Sequence, residues 1–159
     1  MKKLKDCLVV VCVIICIYGC GNSKTRKVLL KKWHVESITS IDIDKDVANM
    51  KLAIDTAKDS LTRINILSKI RFDQAVLEAY KTMVLEYKAD STFDRTISFM
   101  GESKTKTGKW MLSEDGKKII SIDEKLNKDT VDIAEVTSEK LVTNSSDKTV
   151  SIIYRAVKL

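Results

Sequence analysis

The stretch Gly108-Lys-Trp-Met-Leu-Ser-Glu-Asp-Gly-Lys-Lys-Ile-Ile-Ser-Ile122 consists of two short runs of alternating apolar residues joined at Asp115-Gly116. An Asp-Gly pair between two such runs is a strong signal for a β-hairpin, because it adopts the tight turn that fits the twist of paired strands. The stretch therefore predicts two antiparallel strands in the second half of the chain. On one face of this hairpin we expect Trp110 and Leu112 to meet Ile120 and Ile122.

Runs with the same period of two flank the hairpin on both sides. Before it, one run alternates from Met83 to Tyr87, and the next places Phe93, Arg95, Ile97 and Phe99 on one face, with a turn expected at Gly101 to Lys104. After it come three further runs, at Val131 to Val136, Leu141 to Thr143 and Val150 to Ala156. The parity of the first of these slips once, which predicts a β-bulge near Ala134-Glu135.

A further alternating run, from Trp33 to Ile43, precedes the rest and predicts a first strand. The total is then eight strands with short connections. Eight antiparallel strands in this order close naturally into an up-and-down barrel, because closure removes the exposed edges of an open sheet. The interior of such a barrel is wide enough to be filled by side chains or to hold one small ligand.

Between the first and second strands the apolar residues recur at steps of three and four instead, which predicts helix. We expect Asp44 or Asp46 to cap its N-terminus, so that a helical segment of residues 46–81 forms either one long helix or two helices joined near Ser68 to Asp73. The apolar stripe favours packing of the segment against its own domain. The alternative is an amphipathic helix that binds a partner.

Composition argues against enzymatic and nucleic-acid functions. Lys and Arg total 28 against 22 Asp and Glu, with no long run of one sign, so we expect no nucleic-acid partner. His34 is the only histidine, and all four cysteines lie within the first 20 residues. The rest of the chain therefore lacks a thiol nucleophile, a Cys-ligated metal site and a histidine-rich metal site. We predict a protein that is not an enzyme and uses no cofactor.

The N-terminus is typical of an exported protein. A basic start, Met1 to Lys5, precedes an apolar run from Cys7 to Tyr18 that is too short to span a membrane. Ile17-Tyr-Gly-Cys20 resembles the lipobox of bacterial lipoproteins. The resemblance implies a signal peptide of residues 1–19, a lipid on Cys20, a tether of residues 20–32 and a location in the cell envelope, at the outer membrane. The alternatives are a buried first strand or a plain signal anchor.

Three further segments carry a family resemblance: Tyr87 to Phe93, Thr107 to Lys117 and Val136 to Leu141. They resemble the small lipocalin-like lipoproteins of Gram-negative bacteria, in which a strand pair ending in Thr-Phe precedes a Gly-x-Trp strand, a turn and a final strand pair. The fold implied for residues 33–159 is mainly β, an eight-stranded antiparallel lipocalin-like barrel with the helical segment inserted between strands 1 and 2. The resemblance also implies that Trp33, on the first strand, packs under Arg155, on the last.

The function expected from this combination is a lipid-anchored binding module that takes a small apolar or amphipathic ligand. The residues expected to line its site are Tyr87, Phe93, Arg95, Phe99, Trp110 and Tyr154. The alternative is an interaction or envelope-assembly protein with a filled barrel. An enclosed cavity of hundreds of Å³ would favour ligand binding, whereas a solid core with an apolar patch on the helices would favour the interaction protein.

Overall fold

The computed structural model describes residues 23–158. The predicted signal peptide of residues 1–19 and the predicted lipidation site Cys20 lie outside the described residues. A helical segment at residues 23–29 comes first. The elements that follow are β1 (Lys32–Ser40), α1 (Ile41–Thr56), α2 (Ser60–Lys81), β2 (Val84–Tyr87), β3 (Thr92–Phe99), β4 (Glu102–Leu112), β5 (Lys118–Asp123), β6 (Lys128–Val136), β7 (Lys140–Ser145) and β8 (Val150–Ala156).

The strands form a closed barrel in which each strand pairs antiparallel with the next and β8 returns to β1. Closure runs along the whole of β1, from Trp33 opposite Ala156 to Ser40 opposite Val150. The bulge predicted in β6 is present, because the register with β7 shifts between Ile133 and Glu135. The prediction of a mainly β, eight-stranded antiparallel barrel with a helical insertion between strands 1 and 2 is confirmed.

Large side chains from the inner faces of the strands fill the barrel. Trp33, Trp110, Ile119 and Leu141 are fully buried. Around them pack further core residues from β1, β2, β3 and β8, namely Val35, Leu85, Tyr87, Phe93 and Tyr154. Burial of each such side chain stabilises the fold by about 1.5–3 kcal/mol relative to an exposed position, so this cluster is the main source of stability.

The central hairpin forms around Asp115-Gly116 as predicted, with Gly116 at φ +69°. Its register differs from the prediction, however, because Leu112 pairs with Ile119 and Trp110 with Ser121. Ile119 is therefore the isoleucine in the core, whereas Ile120 and Ile122 lie on the other face of β5. Two consecutive isoleucines satisfy either parity, and the loop length decides which one faces inward.

Part of the predicted tether of residues 20–32 belongs to the folded domain. Leu29 is fully buried in the core, and its backbone carbonyl accepts a hydrogen bond from Trp33 Nε1 at 3.1 Å. Arg26 donates to Ser91 Oγ at 2.8 Å in the turn between β2 and β3. The helical segment therefore packs on the end of the barrel where this turn lies, which we call the N-terminal end.

The helices begin and break at other residues than predicted. β1 ends at Ser40, whose hydroxyl caps α1 by accepting from the Ile43 backbone N–H at 3.4 Å, so Asp44 lies inside the first turn and not at the cap. The segment is two helices, but the break falls at residues 57–59 and not between Ser68 and Asp73. Asp59 starts α2 by accepting from the Thr62 backbone N–H at 2.8 Å.

The two helices lie over the opposite end of the barrel with several of their large apolar side chains exposed. In α1 no residue is buried, and in α2 only Ile70 is. The expectation that the apolar stripe packs against its own domain is therefore wrong for part of the stripe, including Leu61, Ile64 and Phe72, which are each more than half exposed. Most of the other members are partly buried, namely Val47, Met50, Ile54, Ala57, Val76 and Leu77. Within residues 23–158, no helix combines the length and the apolar character needed to cross a membrane.

Candidate functional site

The β3–β4 hairpin extends beyond the rest of the barrel wall at the end covered by the helices. β5 pairs with β4 only from Gly108 onward, so residues 102–107 pair with β3 alone. Three pairs of opposed residues lie on the inner face of this extension, because side chains directly opposite each other in an antiparallel pair share a face. They are Arg95 with Lys106, Ile97 with Lys104, and Phe99 with Glu102.

The end of α2 closes the space in front of this extension. Thr82, just after α2, accepts a hydrogen bond from the Ser98 backbone N–H on β3 at 2.8 Å, which holds the helix end against the strand. A cleft of about 320 Å³ remains between them, which we call the mouth pocket. It is lined by Tyr80, Arg95, Ile97, Phe99, Glu102, Lys104 and Lys106. Its volume lies at the small end of the range of about 300–1,000 Å³ that is usual for ligand sites.

The mouth pocket combines an apolar wall with an excess of positive charge. Tyr80, Ile97 and Phe99 supply the wall, and Arg95, Lys104 and Lys106 face one carboxylate, that of Glu102. Within the part of the chain that the structure describes, Lys104 and Lys106 form no salt bridge. The site is therefore suited to an amphipathic molecule.

Arg95 forms the floor of the mouth pocket and the roof of the barrel interior. Its Nη1 lies 3.6 Å from Asp129 Oδ2, a distance typical of a loose ion pair. Its Nε is buried and, alone among the buried side-chain nitrogen and oxygen atoms of residues 23–158, has no hydrogen-bond partner. Leaving such a donor unsatisfied costs about 1–3 kcal/mol, and more when the group is charged.

Below Arg95 the interior holds a cavity of only about 40 Å³. Ten side chains line it, among them Tyr87, Phe93, Asp129 and Tyr154. Burial raises the pKa of Tyr154 to about 12 and raises the pKa of Tyr87 further, so both phenols are neutral at physiological pH. A space of this size holds about one or two water molecules, so the barrel itself is filled.

The predicted site residues therefore divide among three places. Arg95 and Phe99 line the mouth pocket, whereas Tyr87, Phe93 and Tyr154 line the small interior cavity. Trp110 lies at the N-terminal end under the guanidinium of Arg26, 4.6 Å from its ring centroid. Because the interior has no room for a ligand, Tyr87, Phe93, Trp110 and Tyr154 are core residues in this structure.

The cationic wall of the mouth pocket was not predicted from the sequence. The stretch Gly101 to Lys104 was expected to be a turn, but β4 begins at Glu102 and places Lys104 and Lys106 in register with the predicted inner face of β3. The alternation Glu-x-Lys-x-Lys at residues 102–106 was the available signal. It is purely polar, and polar alternation alone does not distinguish a strand from a solvated loop.

The expected packing of Trp33 under Arg155 does not occur. Arg155 is opposite His34 in the register and forms an ion pair with Glu36 at 2.8 Å, on the outer face of the barrel. Trp33 points inward from the neighbouring position, and the cation above its ring is Lys31, 5.5 Å from the centroid. Adjacent residues of a strand point to opposite faces, so a residue paired with His34 cannot cover Trp33.

Larger grooves, of about 780, 640 and 450 Å³, lie elsewhere on the surface of the described residues. The first contains His34 and Arg155, the second contains Leu126, and the third lies between α1 and α2. We assign the candidate site to the mouth pocket instead, because it alone joins apolar side chains to unpaired cations and to a buried donor without a partner. No group of His, Cys, Asp or Glu side chains within residues 23–158 is arranged to hold a metal ion.

These features define a closed, eight-stranded up-and-down barrel with a filled interior, a helical hairpin over one end and a small cationic cleft beneath it. Two solved structures are similar to the chain. One is a lipocalin-like protein from Bacteroides uniformis, at 14% identity and a TM-score of 0.49, covering 82% of this chain and 99% of that one. The other is a DUF4847 family protein from Bacteroides vulgatus, at 18% identity and a TM-score of 0.44, covering 82% and 95%.

No protein-family model and no curated protein matches the chain. The assignment of the barrel therefore rests on the strand pairing of the chain itself.

Proposed function

We propose that this protein is a non-catalytic binding module, held at the cell envelope by acyl groups on Cys20, whose mouth pocket takes a small apolar or amphipathic ligand. The observation that supports ligand binding is the mouth pocket itself. Ile97 and Phe99 form an apolar wall on one strand, opposite charged residues on the next. Ligand sites in proteins have this composition, a mostly apolar surface with a few convergent polar groups.

The filled interior moves the proposed site from the inside of the barrel to its mouth. A ligand of the expected kind cannot enter a cavity of about 40 Å³, but it fits the cleft of about 320 Å³ above Arg95. Tyr80 is the one lining residue that comes from α2. Movement of this helix end would therefore open or close the pocket.

The proposed anchor and the pocket belong to opposite ends of the barrel. Arg26 contacts the turn that precedes β3, and the mouth pocket lies near the far end of β3, roughly 25 Å away for a strand of eight residues. Only three peptide bonds separate Cys20 from Ser23, which limits the reach of the tether to about 11 Å. A chain lipidated on Cys20 would hold its N-terminal end near the membrane and turn the mouth pocket away from it.

The alternative function is docking to another envelope protein, and the exposed apolar side chains of the helices favour it. Leu52, Leu61, Ile64 and Phe72 are between 58% and 69% exposed. Leu61, Ile64 and Phe72 lie on one side of α2 by their helical spacing, and an exposed apolar surface of this kind is typical of an interaction site. The two functions can be separated by mutation. Loss of ligand binding is expected from substitutions on β3, whereas loss of docking is expected from substitutions on α1 and α2.

Ligand binding is tested with the chain that begins at Gly21, which retains the closed barrel and the core cluster described above. Native mass spectrometry with decanol and decanoate as probes should show one adduct per chain. Phe99→Glu should abolish it, because the variant places a charge in the apolar wall. Met111→Glu is the matched control, since Met111 lies on β4 but faces solvent. Absence of any adduct on the folded chain would exclude the proposal.

The anchor is tested in cells with the full chain. Growth with a labelled fatty acid should label the protein and place it in the membrane fraction, and Cys20→Ser should abolish both results. A labelled Cys20→Ser chain, or an unlabelled natural chain, would contradict the proposed lipidation.

A further inference from the structure

We propose that the ligand of the mouth pocket carries a carboxylate, which Lys104, Lys106 and Arg95 bind. The inference rests on the proposed function and adds the chemical class of the polar end of the ligand. The two lysines occupy alternate positions on the inner face of β4, about 7 Å apart along the strand. Lys106 is directly opposite Arg95, so the three cations surround the inner part of the cleft.

The charges that line the pocket favour an anion. Three cations line it with one carboxylate, that of Glu102, at the outer end beside Phe99. Two further carboxylates lie near these cations outside the lining: Asp129 is beside Arg95 Nη1, and Lys106 lies near enough to Asp123 to lower the pKa of that carboxyl. Like charges held close together in a partly buried cleft repel each other, and a single anion between them relieves the repulsion.

One edge of the Arg95 guanidinium contains a donor without a hydrogen-bond partner. Asp129 lies next to Nη1, whereas Nε has no partner and is buried. In a guanidinium group, Nε and Nη2 form the edge on the other side from Nη1, and this edge matches the two oxygens of a carboxylate. Because Nε has no exposed surface in the structure, a carboxylate in the mouth pocket would satisfy this donor only with a shift of the Arg95 side chain toward the pocket.

The apolar wall next to the cations is suited to contact the apolar part of the ligand. Ile97 lies between Arg95 and Phe99 on the inner face of β3, so a chain extending outward from Arg95 contacts Ile97 and then Phe99. Tyr80 lies on the side of the helices. The arrangement fits a fatty acid of medium length, with its carboxylate at Arg95 and its hydrocarbon chain toward the outer end of the cleft.

Calorimetric titration of the chain from Gly21 with probes that differ only in the polar end tests the inference. We expect decanoate to bind about tenfold more tightly than decanol, and decylamine to bind most weakly. Lys104→Met with Lys106→Met should reduce this preference, because Arg95 alone remains to bind the carboxylate, and should leave the affinity for decanol within about twofold. Lys109→Met is the matched control, because Lys109 lies on the same strand but faces solvent.

The outcomes separate the inference from the proposed function. Equal binding of decanol and decanoate overturns the carboxylate and leaves ligand binding intact, whereas binding of neither probe overturns both. Tighter binding of decyl phosphate than of decanoate would also overturn the carboxylate, since it would show a site for a dianion. A preference for decanoate that is unchanged in the double lysine variant would exclude the two lysines as its source and overturn the proposed binding mode.

Discussion

The rings of Tyr87 and Trp110 lie 4.8 Å apart between centroids, with 48° between their planes. The guanidinium of Arg26 lies over the Trp110 ring, and Trp110 Nε1 donates a hydrogen bond to the Lys88 carbonyl at 3.1 Å. The contact therefore closes the N-terminal end of the barrel and joins the segment that follows the proposed lipidation site to the core. Aromatic pairs at this separation contribute about 0.5–1.5 kcal/mol beyond their buried area.

Trp110→Ala should lower the free energy of unfolding by about 3–5 kcal/mol, because it removes a fully buried aromatic side chain and leaves a cavity under Arg26. Urea denaturation followed by circular dichroism measures the change. Met111→Ala on the exposed face of the same strand should stay within about 0.5 kcal/mol of the natural protein. A loss of less than about 1 kcal/mol for Trp110→Ala would show that the contact is not part of the core.

The position of Gly108 explains the Gly-x-Trp pattern in which this tryptophan occurs. A Cβ at residue 108 would lie 2.2 Å from the Ile122 carbonyl oxygen and 2.8 Å from Phe93 Cε1. Phe93 is opposite Gly108 in the register, so its ring occupies the space of the missing side chain. Glycine is required here by the close approach of backbone atoms from β5 and an aromatic ring from β3.

Gly108→Ala should therefore destabilise the fold by about 1–3 kcal/mol or more, since the backbone of β5 must move to admit a methyl group. The measurement is the urea midpoint, together with hydrogen exchange of the amides of β5, which should become faster. Lys109→Ala, at the next residue and on the outer face, is the matched control. An unchanged midpoint for Gly108→Ala would mean that β4 and β5 are farther apart than the structure has them.

Much of the barrel could be predicted from the sequence because its signals are local. Alternation and turn chemistry give the strands after Met83, and the slip near Glu135 gives the bulge. The errors arise where two local structures fit equally well. Ile41 and Ile43 continue the alternation of β1 and also fit the first turn of a helix, and the hydroxyl of Ser40 decides in favour of the helix.

The candidate site was predicted less well because it depends on packing between distant segments. The inward parity of Arg95 and Phe99 was visible in the sequence, but whether the interior is open depends on the volumes of all inward side chains together. The sequence likewise indicates that the helices have an apolar stripe. How much of the stripe contacts the barrel is settled by tertiary packing, which leaves Leu61 and Phe72 exposed.

The tyrosines of the interior cavity predict a loss of stability in alkaline solution. Burial raises the pKa of Tyr154 to about 12, from about 10 in an unfolded chain. The folded state holds the phenolic proton more tightly, so the stability that this group contributes is complete below about pH 10 and is lost as the pH rises toward 12. The pKa of Tyr87 is raised for the same reason, and its effect has the same sign.

Tyr154→Phe removes the ionisable group, so its free energy of unfolding should fall less steeply above about pH 10 than that of the natural chain. A pKa of about 12 instead of 10 corresponds to a difference of about 3 kcal/mol at the end of this range. Urea denaturation at neutral pH gives the difference in free energy of unfolding that is due to the missing hydroxyl alone. This difference is subtracted before the pH dependence of the two chains is compared. Lysines also titrate in alkali, but they are common to both chains and cancel in the comparison. Parallel curves for the two proteins would mean that Tyr154 ionises as readily in the folded chain as in the unfolded one, and that the cavity under Arg95 is open to water.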